Sequence, residues 1–254
     1  MDSDTDILDV AADAAARTGR AVDAARRALA SKGVYLMPSD DVLACVGADA
    51  TSWTRFAAHW ADLAVDEYAA GHGIRRLRRY GHFLLAPATG VLKLLPHEVF
   101  VQPDDTNPPH TMVERHFEPL TGAFIADPAL RSLLALLGRT AGALGSPQWW
   151  SVKVHPLRVI ATEDDKSEPT PEGRHRDGVT LVSSLLIGRG NATGGESTVY
   201  SSEGDKVLSG TLHEPGSLLL SDDRTTLHGV SPIRPVDAGL PAYWDVLVTT
   251  LTPD

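Results

Sequence analysis

The chain has 254 residues, 43% of them hydrophobic, which suffices for one substantial core or one core with a helical extension. Its 33 acidic against 23 basic residues leave a formal charge of −10, so the composition offers nothing to a polyanion such as nucleic acid. One cysteine excludes an intramolecular disulfide framework and fits a reducing compartment; with no signal-peptide pattern and no apolar run of membrane-spanning length, a cytoplasmic protein is expected.

Residues 6–31 are alanine-rich, and Ile7, Val10, Ala14, Val22, Ala25 and Leu29 recur at near-helical spacing. They predict a packing helix that Gly33 can stop. KGVYLMP reads as a short strand. Cys45, in the apolar run VLACVG, reads as a buried small hydrophobe rather than a nucleophile. Residues 51–70 predict a second helix, capped by Thr51 or Ser52 and ended by Gly71 and Gly73. His59 within it has no partner four positions away, so it reads as a packing or surface histidine.

The cluster RRLRRYGHF follows. It is either a solvated basic edge or, together with Arg115, a source of carboxylate anchors, since the planar guanidinium takes a carboxylate bidentately. VLKLLPHEVFVQP predicts a strand pair, and DDTNPPHTM a proline-rich loop suited to the rim of an active site. Residues 127–144 predict a third amphipathic helix, with Asp127 as cap and Pro128 in its first turn.

From Gln148 the character changes. WWSVKVHPLRVIA alternates as a strand does, with Val152, Val154, Leu157 and Val159 apolar. His155 lies here without an acidic partner two positions away, and a structural or supporting role suits it better than metal ligation. After the polar loop TEDDKSEPTPEG come six β-type segments at short spacing: VTLVSSLLI, GGESTVY, KVLSGTLH, GSLLLSDD, LHGVSPI and YWDVLVTTL. Glycine or proline punctuates them, which is the pattern of a sandwich or jelly roll. The expected fold is mainly β with flanking helices. One domain spans 1–254, a mostly helical or mixed portion (1–147) wrapping a β core (148–254).

Two imidazoles and a carboxylate stand out in that core: His175 and Asp177 in the triplet HRD, and His228 on a later strand. Alternate residues of extended backbone point to one side, so His175 and Asp177 share a face and His228 can close it. Three such ligands hold non-haem Fe(II) on one side and leave positions open. The plainer reading is two loop residues and a satisfied core histidine. Asp222 and Asp223 are rival carboxylates, but Arg224 beside them makes a turn or an ion pair sufficient explanation.

Taken together, PTPEG-HRDG, LLIGRGN-x-x-GGES-x-x-Y, DDR-x-x-x-HGVSPI and DVLV-x-T resemble the Fe(II)/2-oxoglutarate dioxygenases that hydroxylate free L-amino acids, the family typified by bacterial L-isoleucine 4-hydroxylase. RRLRRYGHF, LLPHEVFVQ and the segment at Arg115 extend the resemblance upstream, from about Arg75 to Thr250. It implies a double-stranded β-helix (jelly roll, cupin-like) with His175, Asp177 and His228 as the iron ligands and as the catalytic centre. It also implies 2-oxoglutarate and O2 as cosubstrates, release of succinate and CO2, and a free amino acid or close derivative as substrate, with Arg115 and Gln102 as candidates to hold it.

One position departs from the family. Where its pattern is like YRDVLV, with an arginine for the distal carboxylate of 2-oxoglutarate, this chain has Tyr243-Trp244-Asp245. Arg158 and Arg234 are candidates to supply that charge, whereas Arg189 in the GRGN turn reads as structural. Trp244 keeps open an iron-binding β-helix protein with altered or no use of 2-oxoglutarate. A non-catalytic ligand-binding module and a metal-dependent cupin-like isomerase are the remaining alternatives. The expected partner is a small amino acid substrate, with no nucleic acid and no membrane; association into a homo-oligomer is left open.

Overall fold

The computed structural model describes residues 3–101, 114–163 and 167–254, with side chains from 14 onward. Helix α1 (Ser3–Lys32) ends at Gly33, whose φ of 69° glycine reaches without strain. Val22, Ala25 and Leu29 form its buried stripe, while Ala14 is exposed. Strand β1 (Val34–Met37) and α2 (Ser39–Val46) follow.

The stretch 51–70 is not the single helix that its pattern predicts. Helix α3 (Ala50–Ala58) is capped by Asp49, which forms a capping box with Ser52. A 3-10 turn (His59–Asp62), β2 (Ala64–Val65) and α4 (Glu67–Ala70) complete the stretch. Leu63 turns extended at ψ 144°, which frees Asp66 to cap α4 and to receive Arg76 Nε at 2.7 Å. That ion pair and the burial of Trp60, whose indole donates to Leu157 O, override the helical periodicity.

Strands β3 (Arg76–Arg78), β4 (Gly81–Ala86), β5 (Val91–Leu94), β6 (Phe100–Val101) and β7 (Glu114–Arg115) come next. The expected pairing within VLKLLPHEVFVQP does not occur. Gly90, at φ 70°, folds β5 back onto β4, and β6 pairs with β7. Gln102 and the proline-rich segment 104–112 lie outside the described residues. After α5 (Gly122–Ala126), α6 (Pro128–Ala141) starts as the sequence indicates: Asp127 Oδ1 accepts from Ala129 N and Pro128 occupies the first turn.

The remaining strands are β8 (Trp150–Ala161), β9 (Leu181–Gly190), β10 (Ala192–Gly194), β11 (Glu196–Ser201), β12 (Lys206–Thr211), β13 (Leu218–Asp222), β14 (Thr226–Val230), β15 (Ile233–Pro235) and β16 (Ala242–Pro253). The large antiparallel sheet runs β1-β13-β9-β16-β8-β3-β2, with β4 attached to β8 and β5 to β4. A smaller sheet runs β12-β11-β14, and the backbone bridge of His175 to His228 extends it. The sheets face each other as in a double-stranded β-helix, with Leu186, Val199, Leu212, Trp244 and Val246 in the core between them. The fold is thus mainly β with flanking helices, a jelly roll.

Alternation along β8 and β16 sorts the side chains. Trp150, Val152, Val154, Leu247 and Leu251 pack under α1, α2 and α6. Ser151, Lys153, His155, Leu157, Trp244, Val248 and Thr250 turn the other way and line a cavity. The helical layer is the main apolar reservoir: Leu134 of α6 is fully buried, while Leu94 of β5 is 52% exposed. Leu134→Ala should lower unfolding free energy by about 2–5 kcal/mol in a urea titration, and Leu94→Ala should stay within about 0.5 kcal/mol.

Candidate metal centre and cavity

His175 forms a β-bridge with His228, and the alternation of the triplet at 175–177 is visible in its contacts. Arg176 points away and donates through Nε to Thr226 O at 3.0 Å. His175 and Asp177 share the opposite side. The backbones of His175 and His228 exchange two hydrogen bonds of 3.0 Å each, so the two imidazoles start side by side, with ring centroids 4.4 Å apart. Asp177 Oδ1 lies 3.8 Å from His175 Nε2, and Asp177 Oδ2 lies 3.7 Å from His228 Nε2. One donor atom from each of the three residues falls within 4.8 Å of the others. Among the described residues this is the one such cluster, and it is the set expected from sequence.

The donor chemistry fits a divalent ion. His175 Nδ1 lies 3.1 Å from Gly173 O; donation there leaves the Nε2 lone pair facing the cluster. Burial pushes the His228 imidazole down to about 4, against the pull of Asp177, so it is neutral and able to coordinate at physiological pH. Glu172 places Oε1 3.7 Å from the same His175 Nε2.

Asp223 supports the cluster, a role that the sequence reading did not give it. Its fully buried carboxylate accepts from the backbone N–H groups of Asp177 (3.1 Å), Gly178 (2.7 Å) and Val179 (3.0 Å). It also faces His228 Nδ1 at 3.7 Å. Burial, then the charge of Asp177, pushes Asp223 up to about 6. Asp222 behaves as its neighbour Arg224 suggests, pairing with that guanidinium at 2.8 and 2.9 Å. Neighbouring aspartates face opposite ways, so one arginine cannot explain both.

The triad opens into a cavity of about 610 Å³. Arg76, Arg78, Arg115 and Lys153 line it, so the basic cluster is more than a solvated edge. Arg78 is buried, its guanidinium 4.0 Å from the Phe117 ring centre, and its Nε and Nη2 lie 3.3 and 2.7 Å from His155 Nδ1. Burial, then Arg76, brings the Arg78 guanidinium down to about 9. Burial and the same arginines hold His155 neutral. His155 stacks on Tyr80 at 4.9 Å and is no part of the ligand cluster, in line with a supporting role. Burial alone would raise Asp66, but Arg76 and Arg78 outweigh it and hold that carboxyl below its usual range. Arg115 is 8% exposed, with its guanidinium 4.4 Å from the Tyr68 ring centre.

Two expected anchors stand elsewhere. Arg158 occupies the other parity of β8 and faces away from the cavity, where it forms a bidentate pair with Asp245 at 2.6 and 2.7 Å. Arg234 is exposed on β15 and does not line the cavity. Neither meets the requirement of reaching a ligand beside the triad. Arg189 binds the carbonyls of Leu212, Ala192 and Gly194, a structural role as expected. His59 packs on Phe124 and meets Asp127 at 3.1 Å. Trp244 does line the cavity; it is 3% exposed, and its buried Nε1 has no hydrogen-bond partner among the described residues.

A family model described as 2OG-Fe dioxygenase matches residues 57–250. The solved structure of a BsmA homologue from Methylobium petroleophilum PM1 is 33% identical with a TM-score of 0.84, covering 91% of this chain and 92% of that one. IDO from Bacillus thuringiensis (18% identity, TM-score 0.75, 92% and 96% covered) shares the fold. So does the Fe(II)/α-ketoglutarate-dependent dioxygenase TqaL (16% identity, TM-score 0.74, 93% and 89% covered). No curated protein matches the sequence. On the family match and the 33% identity, the chain belongs to the 2OG-Fe dioxygenase family, whose enzymes use Fe(II), 2-oxoglutarate and O2.

Proposed function

We propose that His175, Asp177 and His228 hold the Fe(II) of this dioxygenase and that its substrate is a free L-amino acid or a close derivative. The observation that carries this reading is one cavity containing both the converged ligand triad and a wall of arginine and lysine side chains. Bound together, Fe(II), 2-oxoglutarate and O2 supply the oxidising power to hydroxylate an unactivated C–H bond, with release of succinate and CO2.

The chain's own residues bind and orient. Arg115 meets the substrate carboxylate; its planar fork suits that group, and its low exposure strengthens the charge-assisted bond. Glu172, on the triad side of the cavity, offers an anion to the substrate ammonium. A zwitterion needs one partner of each sign, and the cavity presents both. Val182, Val248 and Leu157 give an apolar surface for an aliphatic side chain. Asp223 positions the Asp177 turn and faces His228 without touching substrate.

Trp244 favours a second reading, an iron-binding β-helix protein with altered or no use of 2-oxoglutarate. Its indole carries no charge where the family pattern has an arginine.

The test is succinate release by the Fe(II)-loaded enzyme over a panel of L-amino acids and of carboxylic acids lacking the amine. Succinate above the uncoupled background with aliphatic amino acids supports the assignment; stimulation only by compounds without the ammonium contradicts it. Arg115→Met should raise KM for that substrate by roughly 10- to 100-fold, the loss of a charge-assisted bond, with a smaller change in kcat. His175→Ala should lose bound iron and turnover together, and turnover retained in that variant contradicts the ligand assignment. Asp223→Asn should weaken iron binding by roughly 10- to 100-fold, measured by competition with a chelator.

A further inference from the structure

The cations lining the cavity lie on one wall, formed by β3, β7 and β8, while the residues that β9 and β16 contribute to the lining, Val182 and Trp244 among them, are uncharged. Three of the four cations have defined company. Arg76 is paired with Asp66, Arg78 is bonded to His155, and Arg115 lies over Tyr68. Lys153 has no hydrogen bond or ion pair among the described residues; its ammonium rests 5.1 Å from the centre of the Phe100 ring. Burial lowers its basicity, and the charge acting the other way is that of Asp177. That compensation is lost once Asp177 is committed to a divalent ion. A half-buried ammonium then needs an anion from a ligand.

The register puts Lys153 where such an anion would be. Lys153 is paired across the ladder with Thr250 of β16, and Thr250 with Val182 of β9. Thr180, just before β9, donates to Leu251 O at 3.0 Å. The turn that carries Asp177 therefore enters the large sheet at the level of Lys153 and Thr250, and all three side chains line the same cavity.

Resting on the function proposed above, we infer that Lys153, together with the Thr250 hydroxyl, holds the distal carboxylate of 2-oxoglutarate. The anchoring charge comes from β8, and Trp244 is free to serve as apolar floor at the start of β16. An ammonium on a flexible stem reaches across the cavity, and a hydroxyl from the neighbouring strand supplies the second donor.

The experiment is anaerobic calorimetry of the Fe(II)-loaded protein with 2-oxoglutarate and with 2-oxopentanoate, which keeps the chain and the chelating end but has a methyl group for the distal carboxylate. Wild type should prefer 2-oxoglutarate. Lys153→Met should weaken 2-oxoglutarate by roughly 10- to 100-fold and leave 2-oxopentanoate within about twofold, with iron content unchanged. Lys153→Arg should restore part of the preference, and Thr250→Val should weaken 2-oxoglutarate in the same direction by less. Equal affinity of wild type and Lys153→Met for 2-oxoglutarate, or equal weakening of both acids, overturns this inference alone. Failure of the wild-type protein to bind either acid overturns it together with the function on which it rests.

Discussion

The buried carboxylate of Asp223 is the constraint on which the site depends. It gathers three consecutive backbone N–H groups, those of Asp177, Gly178 and Val179, into one turn. That turn fixes where the Asp177 side chain emerges, and Gly178 can make it because φ of 74° carries no penalty for glycine. The same carboxylate faces His228 Nδ1. One residue thus holds the turn at Asp177 and faces His228 on β14. The paired backbone bonds between His175 and His228 supply the remaining restraint. On the proposed assignment, geometry set by main chain and a buried acid would need little reorganisation to take a metal, which is how supporting residues raise affinity.

The large sheet adds the second ingredient, a polarity that changes along its strands. On the cavity side β16 runs from Trp244 and Val246 through Val248 to Thr250 and Thr252, from apolar floor to polar rim. Strand β8 runs the opposite way, from Ser151 and Lys153 through His155 to Leu157 and Val159. Because the strands are antiparallel, Trp244 and Val246 face Val159 and Leu157, Thr250 and Thr252 face Lys153 and Ser151, and Val248 opposite His155 marks the change between them. On the other parity, Trp150, Val152, Val154, Leu247 and Leu251 pack under the helices, and further along Arg158 pairs with Asp245.

Much of this was legible in the sequence. The convergence of His175, Asp177 and His228 is legible because the spacing in HRD puts its first and third side chains on one side; Arg176 bonding to Thr226 O is the sign of that alternation. The break in the β8 pattern, apolar at Val152 and Val154 and then at Leu157 and Val159, marks where the polar cavity gives way to the core between the sheets. The single helix that periodicity predicts over 51–70 fails because periodicity ignores a buried acid: Asp66 is worth more as a cap and as the partner of Arg76 than as one more helical residue. Arg158 differs from the cavity-lining residues by one position of parity, which is all that separates the cavity face of β8 from the outer one. Asp223 was obscured by Arg224, which satisfies only its neighbour Asp222. Lys153 gives no signal of its own, since its pairing with Thr250 belongs to the sheet register and not to local sequence.

The measurement closest to the central claim, that the triad and cavity form a working Fe(II)/2-oxoglutarate site, is an anaerobic titration of the Fe(II)-loaded protein with 2-oxoglutarate, followed by visible absorption. Bidentate chelation of Fe(II) by the keto and C1 carboxylate oxygens gives a metal-to-ligand charge-transfer band. The account predicts that the band grows, saturates at one 2-oxoglutarate per iron, and is absent from His175→Ala. Iron bound stoichiometrically with no band at saturating 2-oxoglutarate would contradict it and would make the uncharged Trp244 the sign of a different chemistry on this scaffold.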